Sequence, residues 1–190
     1  MPTFALTEKA DAAPVNAVPV NLIQKAYSQI REKDYAHATK TLCASIRTEG
    51  DSLTARRYLS YVLLQQGLPE DALKQMASLH DPTAFDLFMK GVAFEMSAEP
   101  ATAVDWFRAA VEKEPQNAYF RNKAIDSLIG VAKYDDAALL CADGNRLATD
   151  PKVKSYYAEK LKKTKSQSEW LANAEDYRNK HKPLRTTAMR

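Results

Sequence analysis

The chain has 190 residues, of which 45% are hydrophobic and 27% charged, the make-up of an ordinary folded protein large enough for one elongated repeat domain. No apolar run approaches the ~18 residues of a membrane span, and few glycines with no alternating Val/Ile/Thr runs argue against sheet. The formal net charge of +3 is unevenly placed: eleven Lys/Arg face four Asp/Glu from Lys152 onward, which leaves sixteen against twenty before it.

Residues 1–18, MPTFALTEKADAAPVNAV, are rich in alanine with prolines at 2 and 14 and show no helical stripe, so they are expected to form a flexible arm. A secretory signal needs a basic start and ~7–15 apolar residues, and Glu8, Lys9 and Asp11 break any such run. The expected location is therefore cytoplasmic. The alternative is a chain already trimmed, with Phe4-Ala5 the trace of a cleavage site, which would place it in the periplasm or otherwise outside.

Further along, Asp81-Pro82, Glu114-Pro115 and Asp150-Pro151 each put an acid and a proline together, as at helix junctions. Between the first two, Leu87, Gly91 and Phe94 make one stripe of an amphipathic helix ending near Ser97. Pro100 suits the first turn of the next helix, Ala103, Phe107 and Ala110 form its stripe, and Pro115 stops it. Small residues at Gly91 and Ala103 predict a close approach of the two helices. After Pro151, Val153, Tyr157 and Leu161 form one stripe and Trp170, Leu171, Ala174 and Tyr177 another, with Ser166 and Glu169 between them spaced as a capping box.

The helix pair of residues 84–117 resembles the tetratricopeptide repeat, a unit of about 34 residues with the pattern W-x2-L-G-x2-Y…A-x3-F…P. Leu87, Lys90, Gly91, Phe94, Ala103, Phe107 and Pro115 carry it, with the tryptophan and leucine slots substituted. Sliding the pattern back gives Arg56, Leu59, Ser60, Leu63, Ala72 and Met76, with Gly67 and Pro69 in the turn. One step further back it gives Leu22, Lys25, Ala26, Gln29, Tyr35, Ala38 and Leu42. Forward it gives Arg121, Ala124, Ile125, Leu128, Tyr134, Ala137 and Cys141, closed by Pro151. The second copy is three residues short, and the first and fourth lack the small-residue pair at full strength.

The resemblance implies an all-α fold, a right-handed α-solenoid of about four helix pairs. Their expected bounds are about 19–52, 53–83, 84–117 and 118–151. A basic C-terminal capping helix pair at 152–182 would cover the exposed end of the last repeat, followed by a flexible tail at 183–190. Gly144 falls inside the second helix of the fourth unit, which is expected to fray or end near Asp143.

In tetratricopeptide repeats a second face of each first helix lines a concave groove that takes a peptide. By that resemblance the candidate site comprises Val20, Ile23, Tyr27 and Ile30; Arg57, Tyr61 and Leu64; Phe85, Phe88, Val92 and Met96; and Tyr119 and Asn122 with Asp126 and Ile129. For any one of them the alternative is packing between neighbouring first helices. Phe88 and Tyr61 are read as equivalent, side by side on the groove wall and partly exposed. Family members that clamp a C-terminal carboxylate carry Lys, Arg and Asn on this face. Here those slots are mostly apolar, which disfavours that subclass.

The expected function is a non-enzymatic protein–protein interaction module (adaptor, scaffold or assembly factor) holding a polypeptide segment in an apolar, aromatic groove. Two alternatives use the same groove: a secretion-type chaperone holding an apolar segment of a client, and a structural homo-oligomer. No small-molecule substrate, cofactor or metal is expected. The five glycines are spread singly and give no phosphate loop, and His37, His80 and His181 lack partners at ligand spacing. Asp135-Asp136 suits the first turn of a helix, where negative charge meets the dipole favourably. Cys43 and Cys141 lie too far apart in a stacked array for the ~7 Å Cα limit of a disulfide, so both are expected as buried thiols. Lys160, Lys162, Lys163 and Lys165 are read as a solvated helix face or, alternatively, as an electrostatic dock for an acidic partner. Nucleic acid is disfavoured because no recognised binding motif accompanies them.

Overall fold

The computed structural model describes residues 21–48 and 52–180; the expected arm at 1–18, the tail at 183–190, Val20 and His181 lie outside the described residues. Among the described residues there are helices and no strands: α1 (Leu22–Arg31), α2 (Tyr35–Thr48), α3 (Leu53–Gln65), α4 (Pro69–Ala77), α5 (Ala84–Met96), α6 (Pro100–Lys113), α7 (Ala118–Gly130), α8 (Tyr134–Leu147) and α9 (Pro151–Lys180). Each helix packs on the next, and α3 also lies against α1 and α5, so first helices of successive pairs sit side by side. The result is an all-α solenoid.

Local chemistry fixes where these helices begin. Asn21 accepts from the Gln24 N–H (3.2 Å) and Ser52 from the Ala55 N–H (3.4 Å), while Asn117 accepts from the N–H groups of Tyr119 and Phe120. Thr83 and Asp86 form a reciprocal capping box at the start of α5. Instead of a side-chain cap, α4 and α6 open on Pro69 and Pro100, whose missing N–H falls where a helix has no acceptor for it. First and second helices are joined by one recurring turn. The N–H groups of Asp34, Leu68, Glu99 and Lys133 bond the carbonyls of Gln29, Leu63, Phe94 and Leu128 at 2.8–2.9 Å, and the preceding residue is left-handed each time. Only Gly67 meets that requirement without a Cβ; Lys33, Ala98 and Ala132 have φ of 58–60°.

The core follows the pattern that carried the family resemblance. Ala38, Ala72, Ala103 and Ala137 have no exposed surface, nor do Leu42, Met76, Phe107 and Cys141 one turn later. Small residues there let the paired helices approach, and the larger ones fill the space between them. At Gly91 α5 and α6 come close together: a Cβ would lie 2.6 Å from Cδ1 and Cε1 of the Phe107 ring. We expect Gly91→Ala to lower stability by about 1–3 kcal/mol, despite alanine's better helix propensity, as read by thermal melting. A smaller loss when Gly91→Ala is added to Phe107→Leu than when it is added to the parent would identify the ring as the obstacle, and a neutral Gly91→Ala would refute the contact.

Three expectations need correction. The C-terminal capping pair is one 30-residue helix, α9. No proline or glycine interrupts it after Pro151, and its middle finds partners as helix: the Thr164 hydroxyl donates to the carbonyls of Lys160 and Leu161 (both 3.0 Å). Ser168 donates to Asp135 Oδ1 on α8 (2.6 Å). Nor does α8 end near Asp143. It runs through a buried Gly144, against which the Tyr157 ring of α9 packs so closely that a Cβ would lie 2.5 Å from Cε1. Gly144 is thus a seat for the next helix rather than a break. Finally, Cys43 is exposed, because it points off α2 away from the buried Leu42, while Cys141 is buried, which raises its thiol pKa. Asp135 and Asp136 do occupy the first turn of α8, and Asp136 meets Arg108 at 3.3 Å.

Candidate functional site

Where α1, α3 and α5 lie side by side, their outward faces leave a trough of about 460 Å³ lined by Tyr27, Ile30, Thr54, Arg57, Tyr58, Tyr61 and Phe85. Helical spacing explains why these residues converge. Thr54, Arg57, Tyr58 and Tyr61 sit at i, i+3, i+4 and i+7 of α3 and form the floor. Tyr27 and Ile30 of α1 form one wall and Phe85 of α5 the other. The Tyr27 and Tyr58 rings lie 6.0 Å apart at 54°, a favourable tilted pair. Tyr27 and Phe85 remain 48% and 45% exposed, although both are large and apolar-bodied. Burial raises the Tyr61 phenol pKa, with the nearby Tyr35 phenol adding to the effect.

The single charge in the trough is already balanced. Arg57 Nε donates to Asp86 Oδ2 at 2.8 Å, and its Nη2 donates to the Asp81 carbonyl at 3.1 Å. Asp86 has no exposed surface, and its Oδ2 also accepts the Thr83 N–H at 2.7 Å. The guanidinium therefore ties α3 to the start of α5.

Solved structures with the same helix arrangement share this fold at low sequence identity. A tetratricopeptide repeat protein from Parabacteroides merdae ATCC 43184 superposes with a TM-score of 0.64 at 17% identity, over 85% of this chain and 66% of that one. YrrB, described as a TPR protein with an unusual peptide-binding site, gives 0.61 at 16% identity, over 85% and 87%. The fold is a tetratricopeptide-repeat solenoid. MamA (41-end) from Desulfovibrio magneticus RS-1 gives 0.61 at 16% identity, covering 66% of this chain and 73% of that chain. No protein-family model matches the sequence, and no curated protein matches it.

Of the groove residues expected from the sequence, the solenoid brings Tyr27, Ile30, Arg57, Tyr61 and Phe85 together in the trough. Ile23 and Val92 are half-buried and pack on the core beneath it. Met96 and Tyr119 are exposed but lie beyond the trough, and Asn122 is half-buried with a carboxamide oxygen that has no hydrogen-bond partner. Leu64 and Phe88 are corrections: each is only 6% exposed and belongs to the core. Phe88 is the fifth residue of α5, and the fifth residue of α3 is Arg57, so Tyr61 is not its equivalent. Its ring lies 5.0–5.4 Å from those of Phe107, Phe120 and Tyr119, filling the space between α5, α6 and α7. Thr54 and Tyr58 were missed. Both were readable as the i−3 and i+1 neighbours of Arg57 on one helical face.

The lysine cluster is not a uniform solvated face. Lys160 donates to Asp126 Oδ1 at 2.7 Å and to the Tyr156 hydroxyl at 2.9 Å, and its side chain is only 17% exposed. Burial works against its ammonium, yet Asp126 and Tyr156 outweigh that penalty and raise its pKa. It clamps α9 to α7. Lys163 pairs with Glu159 on the same helix at 3.1 Å, and Lys162 and Lys165 are exposed. Among the described residues no helix is long and apolar enough to cross a membrane.

Proposed function

We propose that this protein is a non-enzymatic interaction module that binds a polypeptide segment in the trough between α1, α3 and α5. The observation that carries this reading is the lining itself. Three tyrosines, one phenylalanine and one isoleucine meet in a single concavity whose only charge is neutralised internally. Large rigid aromatic side chains with polar tips give much contact area at small entropic cost, the property that makes tyrosine frequent among interface anchors. That YrrB, of the same fold, is described as having a peptide-binding site supports the choice of ligand class. Adaptor, scaffold and assembly roles all follow from such a site.

The test is selection of peptides from a random displayed library on the purified protein, followed by titration calorimetry. Tyr58→Ala and Phe85→Ala should each weaken a selected peptide by about 1–3 kcal/mol, or roughly 5- to 150-fold. Phe85→Ala should leave the melting temperature nearly unchanged, since almost half of that side chain is in water. Selected peptides that bind both variants as well as the parent would overturn this assignment.

A further inference from the structure

The trough has a candidate occupant within the chain itself. We propose that residues 12–20, AAPVNAVPV, fold back over the trough of the same molecule and occupy it until a client displaces them. This rests on the trough being a peptide site, as argued above.

Three observations carry it. The first is where the segment ends: it joins α1 at Asn21, whose side chain caps the helix and whose backbone is extended (φ −63°, ψ 101°), and α1 is one wall of the trough. From Leu22 to Ile30 is on the order of 12 Å at ~1.5 Å per helical residue, a length that about four extended residues cover at ~3.3 Å each. Residues 12–20 therefore exceed the reach required, even with a reversal of direction before Asn21.

The second is charge. Residues 12–20 contain no Lys, Arg, Asp or Glu, in a chain that is 27% charged overall. The trough likewise offers no unbalanced charge, because Arg57 is held by Asp86. An acidic or basic client would gain nothing there and would lose hydration, whereas Val15, Val18 and Val20 match tyrosine and phenylalanine walls.

The third is entropy. Pro14 and Pro19 fix φ and favour extended backbone, which lowers the ordering penalty of docking. With small side chains between them, the segment buries less surface than an aromatic client would. It is suited to be displaced.

The experiment uses the full chain in two arms. In one, a photo-crosslinking phenylalanine analogue replaces Thr54 on the trough floor, and the cross-linked residues are mapped by mass spectrometry. In the other, Val15→Asp/Val18→Asp is compared with the parent for affinity toward the selected peptides. The expected results are a cross-link into residues 12–20 in the monomer band, lost in the double variant, and affinity about tenfold higher in that variant, as for a site open one-tenth of the time. Cross-links into 12–20 found only in a dimer band would assign the occupant to a second copy and overturn the intramolecular proposal. Cross-links elsewhere, or equal affinities, would overturn it outright. If no selected peptide binds, the peptide-site reading falls, and the monomer cross-link still decides whether this segment covers the trough.

Discussion

Phe88→Ala should destabilise the protein as much as Phe107→Ala, by about 3–5 kcal/mol. For a chain of this size, at roughly 2–4 °C per kcal/mol, that is a fall in melting temperature of about 6–20 °C. The reason is position. Phe88 is 6% exposed and touches the Phe107, Phe120 and Tyr119 rings at 5.0–5.4 Å, so truncation opens a cavity where three helices meet and removes these three contacts together with the stacking on Phe85. Phe85, one turn earlier, stacks on Phe88 at 6.3 Å with its other face in solvent, and its truncation should cost far less. Circular dichroism melts of Phe85→Ala, Phe88→Ala and Phe107→Ala decide the matter. A Phe88→Ala protein melting within two degrees of the parent would return Phe88 to the surface and break the packing described for α5, α6 and α7.

That reversal shows what was legible in the sequence and what was not. Positions that recur with the same size in each unit were legible: the alanines at 38, 72, 103 and 137 and the larger residues four positions later are all fully buried. Their environment is set by the partner helix of the same unit, only a short turn away in sequence. The fifth residue of each first helix behaves differently, being Ala26, Arg57, Phe88 and Asn122 in successive units. Its surroundings depend on the neighbouring unit's first helix. Phe88 is buried because α7 offers Phe120 and Tyr119, and no periodicity within α5 announces that. Tyr58 was not legible for the complementary reason: it stands on a stripe of α3 that mixes threonine, arginine and tyrosine and so carries no apolar periodicity. The unbroken α9 is a third case. A Ser-x-x-Glu spacing signals a helix start only where the backbone leaves the helix, and the bonds of Thr164 and Ser168 hold it in.

Arg57→Ala should be more damaging than Asp86→Ala, although the two remove opposite ends of one ion pair. In Arg57→Ala a carboxylate with no exposed surface loses its cationic partner while its Oδ1 has no hydrogen bond among the described residues, and the expected loss is about 3–5 kcal/mol. In Asp86→Ala the guanidinium, 31% exposed, keeps its bond to the Asp81 carbonyl and can turn toward water. The main loss there is the capping box, and the expected cost is about 1–2 kcal/mol for the cap with a further contribution from the broken pair. The double variant Arg57→Ala/Asp86→Ala should then be more stable than Arg57→Ala alone, because deleting the carboxylate removes the uncompensated charge. Urea unfolding of the four proteins would show a coupling of about 1–3 kcal/mol between the sites. Additive losses would mean that the pair does not hold α3 to α5. In that case Arg57 would be available to a client's acidic residue, and the trough would select charged partners instead of the uncharged segments proposed for it.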